Sequence, residues 1–124
     1  EWLATLPIHL QLFRTLELKA PKYMHISPLM KMDGETKRKL SKRKDPEAAV
    51  TYYSQVGFPK GAVIEYLLTI ANSNYEQWRE ENPKSPNTEF EFSLSKMSKA
   101  GALFDLLNLV TLAKTMFQLL QKKL

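Results

Sequence analysis

Cysteine is absent from the 124 residues, and histidine occurs only at His9 and His25. The first absence excludes disulfides and thiolate metal sites, and the second leaves none of the familiar zinc spacings. No uninterrupted apolar run approaches the length of a membrane span, and no charged-then-apolar leader opens the chain. No serine–histidine–acid or paired-carboxylate arrangement can be read either. What is there has a globular composition, 44% apolar and 25% charged, long enough to bury a core without staples. We expect a soluble, cytoplasmic chain without a protein-bound metal. Because an amphipathic pattern begins at once from Glu1, we also expect a piece of a longer protein.

The formal charge is +5, and its location matters more than its size. Between Lys31 and Lys44 stand Lys31, Lys37, Arg38, Lys39, Lys42, Arg43 and Lys44, opposed only by Asp33 and Glu35. Acids and bases elsewhere cancel, so the whole excess sits in this one segment. Clustered positive potential attracts phosphate far better than dispersed charge does, which predicts a polyanionic partner at that point.

The pattern along the chain is mainly helical. Thr5 and Pro7 open a helix to about Leu18, with Ile8, Leu12, Phe13 and Leu16 on one face and His9 near it. After Ala20-Pro21-Lys22, the alternation over residues 23–32 predicts a strand containing His25, and Asp33-Gly34 predicts a type I′ hairpin turn. The basic segment would then leave the far arm of the hairpin as a loop. Asp45-Pro46-Glu47 predicts a capped helix start, with the helix ending at Gly57. A second helix follows Pro59 to about Asn72, with Val63, Ile64, Leu67, Leu68 and Ala71 as its buried stripe. Asn74 caps a shorter one carrying Tyr75 and Trp78, stopped by Asn82-Pro83. Phe90 and Phe92 alternate with polar residues as in a short strand. From Ala102 a long helix aligns Leu103, Leu106, Leu107, Val110, Phe117, Leu120 and Leu124, widened by Leu109, Leu112, Met116 and Leu119. So wide an apolar face predicts a partner, either a second copy of the chain or a missing domain. The aromatic residues Tyr52, Tyr53, Tyr66 and Trp78 are expected in the core.

Lys39-Leu40-Ser41-Lys42-Arg43 resembles the K-M-S-K-S loop of class I aminoacyl-tRNA synthetases in the K-L-S-K-R form of the glutamate enzymes. The flanking segments, in order, are Leu6-Pro7-Ile8-His9-Leu10, Pro21-Lys22-Tyr23-Met24-His25-Ile26-Ser27-Pro28-Leu29, Asp33-Gly34 and Asp45-Pro46-Glu47-Ala48-Ala49. With Val63-Ile64-Glu65-Tyr66-Leu67-Leu68 and Gly101-Ala102-Leu103-Phe104-Asp105-Leu106 further on, they are similar to bacterial glutamyl-tRNA synthetase over nearly the whole chain. The resemblance implies that residues 1–44 are the end of the catalytic, nucleotide-binding domain, a helix and short hairpin bearing the mobile loop. It implies that residues 45–124 are a helical, bundle-like region contacting the tRNA stem. It further implies ATP, accompanied by magnesium, tRNA(Glu) and glutamate as the partners of an intact glutamate–tRNA ligase. Lys42 would contact the ATP phosphates, supported by Lys39, while Ser41 lets the loop turn and Arg43 replaces the alternative serine. Lys37, Arg38 and Lys44 are the candidate tRNA contacts.

A second stretch, Lys96-Met97-Ser98-Lys99-Ala100, is closer in letters to K-M-S-K-S. It lacks other basic neighbours and leads into the long helix, so a linker with Ser98 as helix cap is the expectation. The glutamine enzymes share a related loop but continue into β-barrels, which the helical sequence after Lys44 disfavours. No H-I-G-H motif or glutamate pocket is found, so the 124 residues alone are expected to be inactive. Leu107, Val110 and Leu112 are more apolar than the family pattern, and Ala100 replaces its serine. These departures keep a second reading open: a non-catalytic RNA-binding or helical interaction module derived from a synthetase.

Overall fold

Pro7 lies in the first turn of α1, Leu6–Thr15, where its missing N–H and fixed φ suit a helix start, and a 3-10 turn over Leu3–Thr5 precedes it. The structure, a computed structural model, describes residues 2–97, 99 and 101–121, with side chains of the last helix up to residue 118. The helix stops short of the expected Leu18. The Leu18 N–H donates to the Phe13 carbonyl (2.9 Å) and the Glu17 N–H to the Arg14 carbonyl (3.1 Å), with Glu17 at φ +53°. Glycine usually fills that left-handed position, so a glutamate there gives no stop signal in the sequence. Ile8, Leu12 and Leu16 are each more than half exposed, and His9 is exposed as well.

The strand expected over residues 23–32 is half that length. Residues 20–28, His25 included, run without regular structure, and β1, Leu29–Asp33, pairs antiparallel with β2, Thr36–Lys39. Asp33 stands opposite Thr36, so the turn residues are Gly34 and Glu35. Only Gly34 takes positive φ (+61°), which is the glycine-first hairpin rather than the type I′ turn expected around Asp33-Gly34. Lys37, Arg38 and Lys39 therefore lie in a strand, and the loop proper begins after them.

Asp45 does not cap a helix. A 3-10 turn over Pro46–Ala48 receives no side-chain bond from it, and α2, Val50–Val56, starts only after Ala49. Gly57 ends α2 as expected. The next helix, α3, Lys60–Ala71, follows Pro59, with Ala62 and Tyr66 at the centre of its buried side; Leu67, expected in that stripe, is partly exposed. A short helix, α4, Tyr75–Glu81, lies where expected, but Asn74 makes no capping bond. Instead Arg79 clamps α4 to α3: its Nη2 and Nε donate to the two Glu65 carboxylate oxygens (2.5 and 3.0 Å), and its plane lies 4.8 Å from the Trp78 ring centre. The strand expected at Phe90–Phe92 is absent. Phe90 packs edge-on against Tyr75 (4.8 Å between ring centres) after a 3-10 turn over Asn87–Glu89.

The long helix starts later than Ala102 because Ala102–Leu103 form β3, parallel to β1 in the order β2-β1-β3. Leu29 pairs with Ala102 and Met30 with Leu103, and the Phe104 N–H donates to the Met30 carbonyl (2.7 Å). Two residues are too few to show a period, so this strand is invisible in the sequence. The last helix, α5, Leu106–Gln121, is capped by Asp105, whose Oδ1 accepts the Leu107 N–H (2.8 Å). The Ser98 cap expected there lies outside the described residues, as do Ala100 and Leu124, and the side chains of Leu119 and Leu120. The inward seam of α5 is Leu109 and Ala113, with Met116 against Gly61 of α3, whereas Leu107 is 76% exposed. Tyr66, Phe104 and Leu109 form the buried core, flanked by Leu29, Leu40, Tyr53 and Phe58. The fold class is thus mainly α with a short β element, as expected. Among the described residues, no helix is long and apolar enough to cross a membrane.

Gly101 makes the parallel pairing possible. Its φ is +87°, and a Cβ there would sit 2.9 Å from Met30 Cγ and 3.1 Å from the Pro28 carbonyl oxygen. We expect Gly101→Ala to destabilise the fold by about 1–3 kcal/mol in urea unfolding. Unchanged stability would contradict the close approach of β3 to β1.

Candidate phosphate-binding loop

The hairpin and the loop after it form one unit. The Leu40 N–H donates to the Leu29 carbonyl (2.9 Å), which extends the β1–β2 ladder by one bond, and the Leu40 side chain packs against the core. Beyond Leu40 the chain folds back on itself. The Ser41 carbonyl accepts the Lys44 N–H (3.1 Å) and the Asp45 N–H (2.8 Å), while the Ser41 N–H donates to Asp45 Oδ2 (2.8 Å). Lys42, Arg43 and Lys44 occupy the tip of this closed turn and are exposed; their side chains make no hydrogen bond or ion pair among the described residues. Lys39 is exposed at the end of β2.

Beneath the turn lies an ion network that sequence reasoning missed. Asp45 is only 2% exposed. Arg38 grips it with both terminal nitrogens, Nη1 to Oδ2 at 2.7 Å and Nη2 to Oδ1 at 2.8 Å, and Lys31 Nζ donates to Oδ1 at 3.3 Å. Arg38 Nε also donates to Asp33 Oδ2 (2.6 Å), and Lys31 donates to the buried Glu47 carboxylate. The Glu47 carbonyl in turn accepts the Tyr53 hydroxyl (2.5 Å), so the network reaches α2. Arg38, the Ser41 N–H and Lys31 together hold the Asp45 carboxyl well below the usual carboxylate range. The bonds to Glu47 and Asp45 raise the Lys31 ammonium, and burial pushes the Tyr53 hydroxyl up to about 12. A signal for this network exists in the pairing register. Lys31 and Arg38 are directly opposite across the hairpin, a like-charge pair that needs an anion nearby.

An open cleft of about 630 Å³ lies against the loop, lined by the apolar Pro28, Leu29, Leu40 and Ala48 and by Lys39, Ser41, Lys42 and Arg43. A backbone fixed by hydrogen bonds, carrying long cations beside a cleft, is suited to a flexible polyanion. The second lysine-rich stretch has a different setting. Asn72 pairs with Met97 in an isolated bridge, and the Ser73 N–H donates to the Lys96 carbonyl (3.1 Å), so the stretch is stitched to the end of α3 as a linker. Among the described residues, no group of three or more acidic or histidine side chains could hold a metal ion.

Comparison with known proteins places this hairpin, its K-L-S-K-R turn and the helices that follow in one class of proteins, the class I tRNA synthetases. Residues 1–109 match the family described as tRNA synthetases class I (E and Q), catalytic domain, and the chain belongs to that family. It is 62% identical over 114 residues to the glutamate–tRNA ligase of Clostridium beijerinckii, covering 92% of this chain and 21% of the relative. It is 60% identical over 114 residues to that of Clostridium perfringens strain 13, with the same coverage. The glutamate–tRNA ligase of Sorangium cellulosum is 45% identical over 128 residues, covering 92% and 22%. The chain spans about a fifth of the length of the curated relatives it matches. The resemblance read from Lys39–Arg43 and its neighbours is borne out.

The ion network makes a pH prediction. A carboxyl whose folded pKa lies below that of an unfolded aspartate, about 3.9, stabilises the fold above that value, and the contribution fades as pH falls through it. Asp45→Asn is therefore expected to melt at a lower temperature than the parent at pH 7, with the gap closing below about pH 4. A gap constant across that range would contradict the network.

Proposed function

We propose that this chain supplies the ATP-phosphate loop and adjoining tRNA-contacting helices of a glutamate–tRNA ligase, the enzyme that joins glutamate to tRNA at the expense of ATP. The observation that carries the reading is the closed Ser41–Lys44 turn, with Lys42 exposed at its tip beside the cleft. The names of the relatives, all glutamate–tRNA ligases, supply the substrate class.

Activation of a carboxylate by ATP moves negative charge towards the departing pyrophosphate. A mobile ammonium that closes on those oxygens stabilises the transition state more than the ground state, and this difference accelerates the reaction. Lysine suits the task because its compact charge rides on a flexible stem. Lys42 makes the direct phosphate contact, Lys39 supports it from the end of β2, and Arg43 adds positive potential. Leu40 anchors the loop to the core, and Ser41 closes the turn through its backbone. Magnesium arrives with the nucleotide. Lys37 and Lys44 face the tRNA backbone; Arg38, engaged by Asp33 and Asp45, acts on the loop from beneath. Residues 1–44 serve as the end of the catalytic domain and residues 45–124 as the stem-contact region. Glutamate selection and the rest of the ATP site belong to parts of a cytoplasmic enzyme beyond these residues, so the 124 residues alone form no glutamyl-adenylate.

In the intact protein carrying this sequence, Lys42→Ala is expected to slow ATP–pyrophosphate exchange on the order of 10²–10³-fold. An unchanged exchange rate would refute the phosphate role of Lys42.

A further inference from the structure

We infer that Asp45 is a positioning residue for the phosphate loop: its buried carboxylate, gripped by Arg38 and Lys31, fixes the backbone turn from which Lys42 projects. The inference rests on the phosphate-loop reading given above. Asp45 is bonded to Ser41 twice, through its own N–H to the Ser41 carbonyl and through its carboxylate to the Ser41 N–H, so a single residue closes the turn at both ends. The orientation of that carboxylate is set from below. Arg38 meets it with a two-pronged contact whose planar geometry allows few alternatives, and Lys31 adds a third bond from β1. Glu47 accepts a further bond from Lys31, and Asp33 one from Arg38 Nε. The tip residues Lys42 and Arg43 have no side-chain partner among the described residues, so their placement depends on the turn. This separates Asp45 from an ordinary helix cap, since the helical turn after it receives nothing from its side chain. Asparagine at this position would retain an acceptor for Ser41 but lose the charge that orients it towards Arg38.

The test follows Ser41 amide exchange and catalysis in the intact protein carrying this sequence. The Ser41 amide is expected to exchange at least about 10-fold more slowly than the Lys42 amide, and Asp45→Asn to remove that protection while the Tyr66 amide in α3 stays protected. An unprotected Ser41 amide in the parent overturns the inference, whatever the variants do. Should Asp45→Asn also expose Tyr66, Arg38→Lys replaces it, keeping the cation but not the fork; it too must speed Ser41 exchange, and no change overturns the inference. In ATP–pyrophosphate exchange, the variant is expected to lower kcat roughly 10–100-fold while KM for ATP changes less than about twofold. Adding Lys42→Ala to it is then expected to cost far less than Lys42→Ala costs in the parent. If Lys42→Ala impairs exchange and the Asp45 variant does not, the positioning role is wrong. If Lys42→Ala has no effect, the phosphate-loop reading fails, while Ser41 exchange still decides whether Asp45 holds the turn.

Discussion

A single carboxylate lies between two cations that the hairpin forces to face each other. Lys31 and Arg38 are cross-strand partners, and without Asp45 their like charges would weaken the β1–β2 pairing. Asp45, for its part, could not stay ionised at 2% exposure without them. The mutual requirement fixes where the chain returns after the basic loop, and so gives the loop its closed shape. The nearby acids Asp33, Asp45 and Glu47 are paired with Lys31 and Arg38 rather than with the exposed lysines of the loop.

The hairpin is joined to the helices by β3. Its two residues extend the sheet in parallel and bring Phe104 against Tyr66, whose hydroxyl accepts the Asp105 N–H (2.6 Å) at the start of α5. From there α5 packs on α3, and α3 holds α4 through the Glu65–Arg79 contact. Tyr53 closes the circuit by bonding the Glu47 backbone beside the ion network. The helical half and the loop thus share one frame, so the placement of the loop is tied to the packing of the helices.

The sequence carried the helices wherever standard chemistry marked them. Pro59 and Asn82-Pro83 bounded α3 and α4, and Gly57 stopped α2. It misled where one residue could serve two purposes. Asp45-Pro46-Glu47 has the composition of a helix start, yet Asp45 is committed to Ser41, Arg38 and Lys31, so the helix begins five residues later at Val50. Glu17 takes a left-handed conformation that sequence reserves for glycine, and β3 is too short for alternation to appear. The K-L-S-K-R segment was legible because its chemistry is local. The network beneath it was not, because Lys31 and Asp45 meet only through the pairing of β1 with β2 and a turn whose bonds are made in three dimensions. The apolar face expected of α5 is wider than the side it buries: Leu106, Leu109 and Leu112 pack into the core, whereas Leu107 and Phe117 stay exposed and the small Ala113 is buried.

Chemical protection of Lys42 tests the central claim most directly. Amine acylation of the intact protein, read residue by residue by mass spectrometry with and without ATP, compares Lys42 with Lys60, which is exposed and does not line the cleft beside the loop. The account predicts that ATP shields Lys42 strongly and leaves Lys60 as reactive as before. Equal modification of Lys42 in the presence and absence of the nucleotide would contradict it.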